Sequence, residues 1–347
     1  MDARLSAEQR ALREAAARLA HDLGPGSVGD LGNARRAARL DAAVAAAGWR
    51  ELRAASADDG ASEPLGSAVD TALVAEELAR GLADVTFLGP TLAAELRRLA
   101  GAAPASTLET VALTPALTGL ASAPATDSAT ADTAVAIDSG GCTSALLLIH
   151  GPDGAELATV ALTAGKPAPD LTRPLTSAQT TGAERIPAKH ALTAALLDRW
   201  SAFTIAMTCA DLVGTMRGAV HLGCEYAKIR RQYAAVIGTF QAVQHALANA
   251  HVAAEGSASA ALHAAWAADA LPPGEARLAA AIAKAYCSRA ARSVCETVIQ
   301  VHGGIGNTWE CTAHLYLRRA LLSARILGGT APSLAYVLAT YQISGGA

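Results

Sequence analysis

From Leu5 to about Gly101, apolar positions recur every three or four residues, the spacing that gathers them on one face of a helix. Ser6 followed three residues later by Gln9 predicts a capping box, and Gly24-Pro25-Gly26 predicts where that first helix stops. Between about Ala102 and Pro187 the texture changes to threonine, alanine, proline and glycine, with short strand-like runs at 133–138, 145–150 and 156–162. A small β domain fits this zone. The alternative is a low-complexity linker, against which stands Leu146-Leu147-Leu148-Ile149, too apolar to stay solvated. From Ala188 onward helical periodicity returns in long stretches, broken at Leu271-Pro272-Pro273-Gly274 and at His302-Gly303-Gly304. The expected organisation is a helical domain over 1–105, a β domain over 106–187 and a second helical domain over 188–347.

Composition sharpens this in three ways. The chain is 347 residues long and 52% hydrophobic but only 4% aromatic, so alanine carries much of the apolar count and closely packed helices follow. A net charge of -3 gives no general electrostatic reason to bind nucleic acid or an anionic membrane, so an anionic ligand would have to be met locally. Six cysteines without a C-x-x-C pair indicate neither a zinc site nor a disulfide framework. The N-terminal stretch, charged every few residues, lacks the apolar core of a signal peptide, and no apolar stretch reads as a membrane span; a cytoplasmic protein is expected.

Two segments hold the chemistry. Tyr226-Ala227-Lys228-Ile229-Arg230-Arg231-Gln232-Tyr233, followed by Gly238-Thr239-Phe240-Gln241, reads as a helix end, a turn and a new helix. Cations there suit the negative end of the helix dipole. Arg230, with several donors in a fixed plane, also suits a phosphate, and the residues alone leave capping and ligand binding equally open. About sixty residues later come Gln300-Val301-His302-Gly303-Gly304-Ile305-Gly306, then Thr308-Trp309-Glu310 and Leu315-Tyr316-Leu317-Arg318-Arg319-Ala320. Paired glycines let another molecule approach the backbone closely, although a plain helix C-cap would use them too.

Together these segments resemble the C-terminal helical domain of acyl-CoA dehydrogenases. The opening helices, with Glu8-Gln9-Arg10-Ala11-Leu12-Arg13, Gly48-Trp49 and Ala75-Glu76-Glu77-Leu78-Ala79-Arg80, extend the likeness more weakly. The resemblance implies a mainly α fold: a helical N-domain, a small β middle domain and a C-terminal four-helix bundle, with FAD held between subunits. By position, Arg230, Gln232, Phe240 and Gln241 would touch one FAD, while Gln300, Val301, His302, Gly303 and Gly304 would reach an FAD seated mainly on a partner.

The sequence departs from that pattern where the family keeps its base, a glutamate that removes the substrate α-proton while a β-hydride passes to the flavin. One family position falls here on Leu327 or Gly328, the other on Thr204. Asp211, in a polar stripe with Thr204, Thr208 and Thr215 along one helix face, is a candidate displaced base; a carboxylate hydrogen-bonded between bundle helices is the plainer expectation. The family's flavin-cradling loop survives only as a shadow in Leu113-Thr114-Pro115-Ala116-Leu117-Thr118-Gly119, no tryptophan lies between Trp49 and Trp200, and Tyr233-Ala234 replaces a customary phenylalanine–glycine. Such shortened chains resemble actinobacterial subunits that pair with a full-length acyl-CoA dehydrogenase as α2β2 heterotetramers, often acting on steroid side-chain CoA thioesters. The resemblance therefore implies a subunit that completes FAD sites with a base-bearing partner and takes part in α,β-desaturation of an acyl-CoA. A self-sufficient flavoenzyme using Asp211 or flavin-only chemistry, and a non-catalytic scaffold, are the competing readings.

Overall fold

The computed structural model describes residues 4–55, 63–124, 133–151, 154–162 and 168–344. Four helices come first: α1 (Ala7–Leu23), α2 (Ala34–Ala46), α3 (Ala68–Arg80) and α4 (Leu88–Ala100). The capping box predicted at Ser6 and Gln9 is present, and α1 ends at Leu23, one residue before the glycine stop. Ser67 and Asp70 repeat the device at the start of α3, which satisfies amides that the helix itself leaves unpaired.

The middle segment is a seven-stranded sheet, which removes the linker alternative. Its strands are β1 (Glu109–Leu113), β2 (Ser122–Ala123), β3 (Thr133–Ala136), β4 (Ser144–Gly151), β5 (Gly154–Ala161), β6 (Thr176–Gln179) and β7 (Glu184–Arg185). They lie in the order β6-β3-β1-β4-β5-β7, with β2 added beside β4. β1 and β2 run parallel to β4 at successive stations, Val111 opposite Leu146 and Ser122 opposite Leu148, while β4 and β5 form an antiparallel hairpin. Leu146 to Ile149 are nearly fully buried because β4 is covered on both faces, which explains a wholly apolar run where alternation would mark a one-sided strand.

A long α5 (Ala194–Ile229) follows, then a two-stranded hairpin of β8 (Arg231–Gln232) and β9 (Ala235–Val236), α6 (Gln241–Ala270), α7 (Pro273–His302), α8 (Ala313–Arg325) and α9 (Thr330–Ser344). α5 is the axis of the molecule. It packs against α3, α6, α7 and α8, so nearly every residue from Trp200 to Val220 is buried and the helix is apolar all round. Gly214 permits the closest of these contacts: a Cβ there would lie 1.9 Å from the Glu76 carbonyl oxygen on α3. Buried Arg53 joins the first helices to the bundle, bonding Glu95 at 3.1 Å and Asp269 at 2.8 Å beneath the Phe203 ring.

One stretch departs from expectation. An 18-residue window within Ala313–Gln342 reaches a mean hydropathy of 1.3, enough by length and composition for a membrane span, where no such run is expected from the sequence. It folds as α8 and α9 with a break over 326–329, and both helices pack on α7.

Candidate functional site

Most of the site residues expected from sequence converge at one end of the bundle. α5 stops at Ile229 because Arg230 takes an extended backbone, its amide closing the last turn on Tyr226 oxygen at 2.9 Å. β8 and β9 turn back through Tyr233 and Ala234, both in the left-handed region at φ 50° and 60°. This is the backbone of a tight hairpin turn, which glycine would adopt with less strain. The side chains of Arg230, Gln232, Phe240 and Gln241 are exposed around this hairpin. Among the described residues the Arg230 guanidinium makes no ion pair, whereas Gln232 donates to Arg231 oxygen at 2.8 Å.

The second segment lies alongside. α7 ends at His302, whose ring stacks on Tyr226 of α5 at 4.3 Å between centroids. Val301 packs with Ala227, Ile237 and Leu247, pinning the end of α7 to the hairpin. Gln300, Gly303 and Gly304 are exposed, and Gly303 turns the chain at φ 67°. Open space lies where a Cβ of either glycine would stand, so backbone amides are reachable from outside. The hairpin and the 300–304 corner are therefore neighbours on one face of the bundle end. Their common chemistry is a guanidinium, three side-chain amides, an aromatic ring and open backbone, a set that matches phosphate and amide groups of a dinucleotide.

The interior between sheet and bundle is different. Leu327 is 7% exposed at φ 54°, and its amide donates to the Leu117 carbonyl at 2.7 Å. The 114–119 loop of the sheet segment thus lies directly on the turn between α8 and α9, where one family base would stand. Gly328 follows in the same turn at φ 89° and is buried. Thr204 is fully buried and its hydroxyl finds no partner among the described residues.

Asp211 is tied down on both oxygens. Oδ1 accepts from Arg319 at 3.0 and 2.8 Å; Oδ2 accepts from Ser323 Oγ at 2.6 Å and lies 3.3 Å from Arg173 Nη2. Burial pushes its pKa up, but the two guanidiniums and the hydrogen bonds outweigh burial and hold the carboxyl below its usual range. A carboxylate this stabilised and enclosed is a poor proton acceptor. Arg173 also binds Asp170 at 3.1 Å, and Asp138 accepts the Phe87 and Gly89 amides at 2.9 and 3.1 Å. Lys284, fully buried, bonds Thr208 Oγ1 at 2.9 Å and Ser323 oxygen at 2.6 Å, and burial brings its pKa down to about 8. Beside this network lies a cavity of about 10 Å³, bordered by Asp138, Arg173, Asp211 and Arg319, large enough for one water.

The sequence reading placed Asp211 on a polar stripe but not the groups around it. Two signals point there: Lys284 amid the alanine-rich run 279–285 of its helix, and an Asp170–Arg173 pair three residues apart. The stripe itself is real: Thr208, Asp211 and Thr215 are all buried on α5, with Thr215 returning its hydroxyl to Asp211 oxygen at 2.8 Å.

A layer of helices, a curled sheet and a helical bundle make up an architecture shared with solved structures of acyl-CoA dehydrogenases. The Tcur3481–Tcur3483 steroid ACAD superimposes with a TM-score of 0.81, at 22% identity over 98% of this chain and 99% of that one. The ChsE4–ChsE5 complex from Mycobacterium tuberculosis gives 0.80 at 19% identity, covering 99% of each chain. In sequence, residues 202–339 match the model of the acyl-CoA dehydrogenase C-terminal domain. The acyl-CoA dehydrogenase IpdE2 of M. tuberculosis is 33% identical over 267 residues, 76% of this chain and 74% of IpdE2. The chain belongs to the acyl-CoA dehydrogenase family. FadE34 of the same organism is 41% identical over 133 residues, a match that spans only 19% of FadE34 and 38% of this chain.

Proposed function

We propose that this chain is the subunit without a catalytic base in a heteromeric, FAD-dependent acyl-CoA dehydrogenase. Its partner, a full-length family member, supplies the glutamate, and the two assemble as a cytoplasmic α2β2 heterotetramer. The observation that carries the reading is the contrast between two places in one chain. Its own crevice is shut by the Leu327–Leu117 hydrogen bond and filled by a balanced ion network. Its bundle end holds Arg230, Gln300 and two unobstructed glycines in the open. Cofactor-binding residues with nothing of their own to bind against suit a site completed from another polypeptide.

The residues present fit part of an FAD and not the whole of it. Arg230 and Gln232 suit the diphosphate and its neighbours, Phe240 and Gln241 line the approach, and the backbone amides of Gly303 and Gly304 with the Gln300 amide suit the more distant part of the dinucleotide. The flavin, when bound, accepts the hydride from the acyl β-carbon. This chain's residues would bind and orient it, while Leu327, Gly328 and Thr204 offer no group able to take the α-proton. Desaturation of an acyl-CoA between its α and β carbons is the activity of the assembly. The likeness to a steroid ACAD favours a steroid side-chain CoA as substrate, and the two-component names of that protein and of the ChsE4–ChsE5 complex favour a second subunit. Domain limits at 1–105, 106–187 and 188–347 belong to the same reading.

Co-expression with a full-length acyl-CoA dehydrogenase family member from the same organism, followed by native mass and flavin content, tests the proposal. Two-fold pairing with FAD only at mixed interfaces gives about half a flavin per polypeptide, and Arg230→Ala or Gln300→Ala lowers that ratio. A chain that purifies alone as a fully flavinylated, active homotetramer would end the proposal; normal flavin content in both variants would favour a scaffold.

A further inference from the structure

Between the turn at Trp49–Glu51, helix α4 and the 102–109 segment that leads into β1 lies a cavity of about 250 Å³. It shares no lining residue with the bundle-end corner or with the crevice beside Asp211, so the flavin reading neither uses it nor depends on it. At about 30 Å³ per molecule the space equals roughly eight waters, or a ligand of about that many non-hydrogen atoms.

Three guanidiniums stand in its lining, those of Arg50, Arg97 and Arg98, and the fold has used them to different extents. Arg97 commits all three nitrogens: Nε and Nη2 hold Glu109, and Nη1 donates to the Ala103 carbonyl at 2.8 Å. Arg98 holds Glu95 at 2.8 and 2.7 Å. Arg50 is 7% exposed, with Nε donating to the Thr86 carbonyl at 2.7 Å and Nη2 to Asp41. Its Nη1 makes no hydrogen bond among the described residues. The Asp41 side chain is 54% exposed, so solvent screens that pair and the guanidinium keeps its pull on a further anion. An enclosed guanidinium on a cavity wall, with the N–H groups of one nitrogen unused, offers donors in the planar arrangement that a carboxylate accepts.

The rest of the lining bears on what else the ligand carries. Eight of the fifteen residues are alanine, proline or leucine, among them Pro90 and Ala94 on α4 and Ala105 and Leu108 on the 102–109 segment. A bare phosphate would leave that wall against water, whereas an aliphatic chain covers it. Charge points the same way: Glu109 and the exposed Glu51 also stand in the lining, so a second negative charge on the ligand is disfavoured. We propose that this cavity is a binding site for a short-chain aliphatic carboxylate, its charged end on Arg50 and its chain on the alanine and proline wall. A bound ligand joins the Trp49–Glu51 turn and α4 to the segment entering β1, so it stabilises the junction between the opening helices and the sheet.

Isothermal titration of the full-length chain at about pH 7, where a carboxylic acid is ionised, tests the site with hexanoate, which has the size the cavity holds. Hexanoate should bind one to one, while hexanol, which lacks the charge, and inorganic phosphate, which lacks the chain, should each bind at least about tenfold more weakly. Arg50→Lys keeps the charge but not the planar fork and should weaken hexanoate about tenfold. Ala94→Leu, which fills the cavity from α4 without touching an ion pair, should abolish binding while the circular-dichroism unfolding curve of the free chain stays nearly unchanged. No saturable binding to the wild type, hexanol or phosphate bound as tightly as hexanoate, or an undiminished affinity in Ala94→Leu overturns the proposal.

Discussion

Replacing Asp211 by asparagine should cost the chain about 3–5 kcal/mol of stability, the range for breaking a buried ion pair from one side. The structure argues for the upper part of that range. Asp211 is 3% exposed and answers two guanidiniums and a hydroxyl; the asparagine keeps one acceptor but turns an NH2 toward either Arg319 or the Ser323–Arg173 side, donor against donor. Arg173 retains Asp170, but Arg319 is left with neutral partners only, Ala83 oxygen at 3.1 Å and Thr172 Oγ1 at 3.2 Å. Urea unfolding followed by circular dichroism at fixed protein concentration measures the loss. Removing both partners in Asp211→Leu with Arg319→Met should be less harmful than the sum of the single changes, by about 2 kcal/mol or more, because the stranded charge goes too. The pH dependence has a definite sign. Asp211 has a folded pKa below its unfolded value near 3.8, so its contribution is complete above that value and fades as pH falls through the lower folded pKa. The gap between wild type and Asp211→Asn should therefore stay constant above about pH 5 and close at lower pH. A single-variant loss under about 1 kcal/mol, or strict additivity, would show that Asp211 is not the keystone of the network.

Three further outcomes follow from the same geometry. The Lys284 ammonium is disfavoured in the fold, so relative to Lys284→Met the wild type should gain stability as pH rises from about 8 toward 10.5, by about 3 kcal/mol; a flat difference in paired denaturation curves contradicts the buried charge. Gly214→Ala drives a methyl into the Glu76 carbonyl across the α3–α5 contact and should cost about 1–3 kcal/mol in the same assay, with no change expected if that contact were looser. Leu327→Glu should not create a dehydrogenase in the isolated chain: the added carboxylate enters a shut, nearly dry turn, so lowered stability without acyl-CoA oxidation in a dye-reduction assay is expected, and turnover would show that the crevice opens.

Much of the architecture was legible because its signals are local. Ser6 with Gln9, Gly24-Pro25-Gly26, Leu271-Pro272-Pro273-Gly274 and His302-Gly303 mark helix ends by chemistry that needs no tertiary partner, and the structure breaks helices at each. β1 and β6 were missed because they are short, sit amid threonine and alanine, and owe their conformation to neighbours in the sheet. The turn between the two long helices was expected, but its hairpin and left-handed Tyr233-Ala234 were not, since neither residue advertises that backbone. Asp211 illustrates the limit most clearly: spacing put it on a stripe, whereas its partners come from residues 170, 173, 319 and 323, and no periodicity links those positions.

On the proposed reading, the interior charges also bear on why neither 327 nor 204 carries a base. Asp170 and Asp211 pair with Arg173 and Arg319, Ser323 links Asp211, Arg173 and Lys284, and Asp138 borders the same small cavity, all enclosed by sheet loop, α5, α7 and α8. Such a set is stable only while complete, since withdrawing any member strands another in a low-dielectric interior. A crevice that admitted a thioester and released its product would have to part these groups on every cycle. On the proposed reading it never does: the network holds the closed interior rigid, the selective value of a carboxylate at 327 or 204 disappears, and the working surface moves to the bundle end. Rigid packing behind Tyr226 and His302 then becomes useful in itself, because Arg230 and the 300–304 corner can serve a neighbour's cofactor only if they are held in place before it arrives.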